Sequence, residues 1–117
     1  MERREEYQGY VPEIIKEIVI NDKNELLVKL IGDANPMYQY LYREAAGVYW
    51  DEDLKAFKST PLKEWTASKW FFHIKDLVSS VLKVELLVDE KIEWVNVAED
   101  EVNKIKKAMK GYSNQIE

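Results

Sequence analysis

The stretch that most narrows what this chain can fold into is Thr66 to Leu82, TASKWFFHIKDLVSSVL. At about 100° per residue, Trp70, Ile74, Leu77, Val78 and Val81 fall on one side, and Ala67, Phe71 and Leu82 widen that stripe. Ser68, Lys75, Asp76 and Ser79 take the opposite side together with Phe72, and His73, the only histidine, sits at the edge of the stripe. This is the pattern of a helix lying on a core. Thr60 or Thr66 suits its N-cap and Pro61 suits a first turn. So wide an apolar stripe needs a surface to cover, and the flanking segments read as strands.

Glu13 to Ile20 and Glu25 to Ile31 are β-branched or leucine-rich runs around Asn21-Asp22-Lys23-Asn24, which predicts a hairpin. Gly32-Asp33-Ala34-Asn35-Pro36 then breaks the chain. Met37 to Trp50 supports two readings. As a helix it has Asn35 as N-cap, Pro36 at the first position and Gly47 after the end. As a strand it alternates, with Tyr38, Tyr40, Tyr42, Glu44, Ala46, Val48 and Trp50 on one face, and tyrosine favours strands. The alternation favours strand, kinked or looped around Glu44 to Gly47. Asp51-Glu52-Asp53 turns the chain into a short strand, Leu54 to Ser59.

Beyond the helix, Val84 to Val88 and Ile92 to Val97 flank Asp89-Glu90-Lys91 and predict a second hairpin. Asn96-x-x-Glu99 has the form of a capping box for a last helix ending at Lys110, with Gly111 at C′ and Val102, Ile105 and Met109 as its apolar stripe. The order β-β-β-β-α-β-β-α predicts an α+β fold: an antiparallel sheet of about six strands with two helices on one face. Residues 1–12 read as a flexible charged leader, 13–110 as one domain and 111–117 as a loose tail.

The composition removes several classes of function. A chain of 117 residues, 46% hydrophobic and 33% charged, fits one globular domain. No apolar run approaches the roughly 18 residues that span a bilayer, and the charged start lacks the apolar region of a secretory signal. With no cysteine, disulfides, thiolate metal sites and cysteine nucleophiles are excluded, and a cytoplasmic address is the default. Net charge is −5, and the basic clusters are Arg3-Arg4 and Lys104, Lys106, Lys107 and Lys110. The second cluster suits a helix C-terminus, so nucleic acid is not an expected partner.

Few residues are candidates for chemistry. His73 could act as acid or base with Asp76 one turn later, or with Glu44, although a lone histidine at a stripe edge more often reads as a hydrogen-bonded boundary residue. With one histidine and no cysteine, no metal site is expected, and Asp51-Glu52-Asp53 reads as a solvated turn. Glycines stand singly at 9, 32, 47 and 111, so no phosphate-cradling loop can be written and no cofactor is expected. On the strand reading, Tyr38, Tyr40, Tyr42, Glu44 and Trp50 would wall a ligand pocket, or else lie beneath the helix as core. Trp65 and Phe72, seven residues apart, would form an exposed contact patch for a second copy, giving a homo-oligomer, most simply a dimer.

The run YLYREAAGVYWDEDLKAF followed by EWTASKWFFHI resembles short, acidic bacterial proteins encoded by integron gene cassettes. The resemblance spans Tyr38 to Trp94 and rests on tyrosine and tryptophan spacing. It implies a mobile-genome origin and a single α+β domain that oligomerises, and it brings no catalytic residue. The leading expectation is a non-enzymatic domain that self-associates and holds a small ligand or protein partner on an aromatic surface. The alternatives are a small hydrolase or isomerase using His73, and an acidic partner protein of the immunity or antitoxin kind.

Overall fold

The computed structural model describes residues 10–32, 35–44 and 46–116, with side chains described to Met109. The leader up to residue 9, Asp33 and Ala34 of the predicted break, Ala45 and Glu117 lie outside the described residues. The described chain is an α+β fold. Six strands run β1 (Val11–Ile20), β2 (Glu25–Leu30), β3 (Val48–Asp51), β4 (Ala56–Pro61), β5 (Val84–Leu87) and β6 (Glu93–Val95). A 3-10 helix spans Pro36–Glu44, α1 spans Ala67–Leu77 and continues as a π turn over Val78–Leu82, and α2 spans Glu99–Ile116.

The sheet order is β3-β4-β2-β1-β5, with β6 also beside β1. The first hairpin forms as predicted. Ile20 pairs with Leu26, and Asn21 closes the turn by accepting the Lys23 and Glu25 N–H groups on its side-chain oxygen at 3.0 and 2.8 Å. Asn24 takes the left-handed conformation (φ 64°) that asparagine tolerates. β2–β4 and β3–β4 are antiparallel as well. A bulge between Glu25 and Leu27 interrupts the β2–β4 register. There the buried Ser59 hydroxyl accepts the Leu26 N–H at 3.0 Å and donates to the Thr60 carbonyl at 2.6 Å, so neither polar group is stranded.

The second hairpin does not form. β5 runs parallel to β1 over Val11–Ile14, and β6 runs parallel to β1 over Glu17–Val19. The two are one interrupted strand on the same edge of β1, and Asp89-Glu90-Lys91 is an excursion within it. Asp89 turns that excursion by accepting the Lys91 N–H at 2.9 Å, the same chemistry a hairpin turn uses. Directly opposite, β1 has its own irregularity between Ile15 and Glu17. Because β4, antiparallel to β2, runs the same way as β1 and β5, α1 is a crossover between parallel strands.

The strand expected over Met37 to Glu44 is a 3-10 helix. Its signals were those of the helical alternative: Asn35 Oδ1 accepts the Met37 N–H at 2.8 Å, Pro36 opens the helix and Gly47 has φ 80°. With about three residues per turn, Tyr38 and Leu41 share its buried face. Tyr38 packs on Trp50 and Phe57 at centroid distances of 5.2 and 5.4 Å.

α1 buries Ala67, Phe71 and Ile74 against the sheet. Glu101 of α2 accepts the Ser68 N–H at 2.7 Å, and Ile105 and Met109 join the core. Asn96 is not the cap of α2. It is left-handed (φ 60°), its amide donates to the Ile20 carbonyl at 3.1 Å, and the helix begins at Glu99. The backbone of α2 also passes through Gly111 to Ile116 rather than ending at Lys110.

Candidate functional site

The connection from β4 to α1 builds an open groove on the surface. Asn24 pins it from both directions: its carbonyl accepts the Leu62 N–H and its side-chain amide donates to the Leu62 carbonyl, each at 2.8 Å. Residues 63–65 bend over that anchor. Thr66 then caps α1, with extended backbone and its hydroxyl accepting the Lys69 N–H at 3.2 Å.

This geometry places Trp65 outside the helix and folds it back onto the first turns. Its ring lies 4.9 Å from Trp70 and 5.3 Å from His73, and Trp70 lies 5.5 Å from His73. The Lys69 ammonium sits 4.8 Å from the centre of the Trp65 ring, a cation–π contact. Thr60, Pro61, Lys63, Glu64, Trp65 and Trp70 line an open groove of about 370 Å³. Lys63 and Glu64 are exposed and put both signs of charge beside the indoles.

A second groove of about 340 Å³ adjoins it through Thr60 and Pro61 and continues past Lys58 to Tyr49, Trp50 and Asp51. Lys58 and Asp51 approach to 3.9 Å across its floor. Gly47 supports the junction. A Cβ there would stand 3.1 Å from Trp70 Cη2, and its φ of 80° already disfavours a side chain.

His73 is a boundary residue. Its Nε2 lies 3.0 Å from the Ala46 carbonyl. A carbonyl only accepts, so Nε2 carries a hydrogen and donates it. The ring is half-buried, with Trp65 and Trp70 as edge-on neighbours. Asp76 is exposed further along α1, and Glu44 is exposed at the end of the 3-10 helix. Neither carboxylate is a partner of the imidazole among the described hydrogen bonds. No group of three or more metal-ligating side chains is found among the described residues.

The predicted tyrosine wall is dispersed by the 3-10 geometry. Tyr38 is buried and donates its hydroxyl to Glu13 Oε2 at 2.7 Å. Burial, then the hydrogen bond to Glu13 and that residue's charge, raise its pKa well above the ordinary phenol value. Tyr40 and Tyr42 are exposed, with the Arg43 guanidinium 4.4 Å from the Tyr40 ring centre. Trp50 is half-buried beside Tyr38 and donates its indole N–H to Glu52 at 2.8 Å.

The Trp65–Phe72 patch is divided as well. Phe72 is half-buried against the core, edge-on to Phe71 at 5.5 Å and one turn beyond Ser68 on the flank that meets α2. Trp65 lies over the other flank, with Trp70 and His73. Reading the sequence by periodicity misses Thr60, Pro61, Lys63 and Glu64 as groove residues. The available signal was local: two charges and a tryptophan between a proline and a helix cap.

The profile of the family described as Integron Cassette Protein Hfx_Cass5 matches residues 13–91. Among solved structures, an integron cassette protein, Hfx_Cass5, from the mobile metagenome of the North West Arm sewage outfall is similar at 27% identity. The match covers 83% of this chain and 94% of that one, with a TM-score of 0.38. No curated protein matches.

Proposed function

Since this chain belongs to the Hfx_Cass5 family of integron cassette proteins, a kinship that assigns no reaction, we propose from its geometry that it is a non-enzymatic binding domain with its working surface at Trp65. The observation that supports this is the groove between the end of β4 and the first turn of α1, which Trp65 and Trp70 line together with Lys63 and Glu64. Indole surface contributes apolar area, and adjacent charges of both signs orient a polar group. The ligand suited to such a groove is amphipathic: a planar or aliphatic body with a cationic group. Trp65 already hosts one cation, the ammonium of Lys69.

The test is a thermal-shift titration with a panel of aromatic and organic-cation compounds, repeated on Trp65→Ala. A true ligand at about 100 times its Kd adds roughly 2.7 kcal/mol of stability. That shift should vanish in Trp65→Ala and persist in Trp65→Phe. A panel without a hit, or a hit indifferent to Trp65, removes the groove as the working surface.

A further inference from the structure

Among the described residues the sheet ends at β3, and the direction of that strand's main-chain groups follows from one bond. Thr60 N–H donates to the Gly47 carbonyl at 3.1 Å, and the register continues Val48↔Ser59, Tyr49↔Lys58, Trp50↔Phe57 and Asp51↔Ala56. Bonded and unbonded pairs alternate in an antiparallel ladder. Tyr49 and Asp51 therefore turn their N–H and C=O toward β4, whereas Val48 and Trp50 turn theirs away from the sheet. The far side of β4 agrees: Leu30 N–H bonds to the Lys55 carbonyl, which puts Phe57 in a bonded pair with Val28 and so leaves it unbonded toward Trp50.

Two donors and two acceptors thus stand along the outer edge of β3. Edge strands of monomers are commonly blunted by proline, bulges or charge. β3 contains no proline, its register with β4 shows no bulge, and its one charge is engaged, because Asp51 holds Lys58 and accepts the Leu54 N–H at 3.0 Å.

We propose that β3 pairs with β3 of a second copy of this chain, antiparallel about a two-fold axis at Tyr49. The outward pattern is its own complement, since Val48 and Trp50 flank Tyr49 symmetrically. A two-fold rotation sets Val48 opposite the partner's Trp50 as a doubly bonded pair, twice over, and sets Tyr49 opposite the partner's Tyr49. A slip of one residue would oppose outward groups to inward-turned ones and lose every bond. The central position is an unbonded pair, where side chains approach most closely, and Tyr49 is a large ring left 45% exposed. The 3-10 helix meets β3 through Tyr38, whose ring packs on that of Trp50. The result is a continuous sheet through both copies, independent of the groove at Trp65.

The chain has no cysteine, so Tyr49→Cys introduces a sole thiol. Cα atoms of an unbonded antiparallel pair lie about 4.5 Å apart, inside the disulfide range of about 4.4–6.8 Å. Mild oxidation should convert Tyr49→Cys to a covalent dimer, and Asp53→Cys, exposed just beyond the strand, should lag by roughly tenfold. Sedimentation of the unaltered chain across a concentration series should show monomer and dimer in exchange. Tyr49→Lys, which opposes two like charges, should weaken the dimer by roughly tenfold while leaving the thermal melt unchanged at dilutions where both chains are monomeric. Amide exchange at Val48 and Trp50 should slow as concentration rises. The proposal is overturned by a chain that stays monomeric, by a dimer indifferent to Tyr49→Lys, or by equal cross-linking at positions 49 and 53. Protection of Val48 and Trp50 that appears only with an added extended peptide would assign the edge to a foreign strand and overturn it too.

Discussion

Glu101 is nearly buried, yet it stays ionised far below the usual carboxylate range. Burial alone would raise its pKa. The Ser68 backbone N–H and hydroxyl, and then Lys104 at 3.2 Å, outweigh that and bring it down to about 2 from 4.5. The carboxylate also faces the first turn of α1, which has no acidic residue of its own, so it meets the positive end of that helix. A group whose folded pKa lies below its unfolded value stabilises the fold fully above the unfolded value and loses that contribution as pH falls through the folded one. Glu101 should therefore hold its stabilisation above pH 4.5 and lose it toward pH 2. Glu101→Gln should cost about 1–2 kcal/mol at neutral pH. The gap from wild type in urea melts should close as the solution is acidified. A gap that stays constant with pH would assign the cost to packing rather than charge.

At the scale of elements, the π turn decides what the end of α1 presents. An α-helical wheel places Val81 squarely on the stripe, but Val81 is 37% exposed, whereas Leu82 packs against the core. The Lys83 N–H reaches back to Val78 O as well as Ser79 O, so the turn is wider, and each residue in it advances by less than about 100°. That lag leaves Val81 short of the sheet and brings Leu82 in. Lys83 then leaves in the left-handed conformation (φ 59°) and its carbonyl accepts the Val11 N–H at 2.8 Å. Leu82→Ala should cost about 1–3 kcal/mol and Val81→Ala under about 0.5 kcal/mol in chemical denaturation; the reverse order would contradict the π turn. Local chemistry made α1, its Thr66 cap and the Asn21–Asn24 turn legible from sequence. It could not choose between strand and 3-10 helix for Pro36–Glu44, because the decision rests on Tyr38 meeting Glu13, Trp50 and Phe57. It misread Asp89–Lys91 because a hairpin and an excursion use the same turn residues. The groove was illegible as a unit, since its walls come from β4, the bend after it and α1.

Across the whole molecule, several of the pairings that organise the sheet join distant segments. β1 pairs with β2 on one edge and with both β5 and β6 on the other, and α2 closes over α1 from the far end of the sequence. Such non-local pairing makes folding slow. Refolding after denaturant dilution should take on the order of milliseconds to seconds, by stopped-flow tryptophan fluorescence. A microsecond phase carrying the full amplitude would be inconsistent with this topology. The parallel pairing of β1 also bears on how the protein is made. During translation β1 emerges early and its hairpin partner follows at once, but the strand that covers its other edge is polymerised only after α1. At about 5–20 residues per second, the nascent chain carries an open, isoleucine-rich strand edge for several seconds. That edge stays open until Val84 to Val95 have left the exit tunnel and can pair with it.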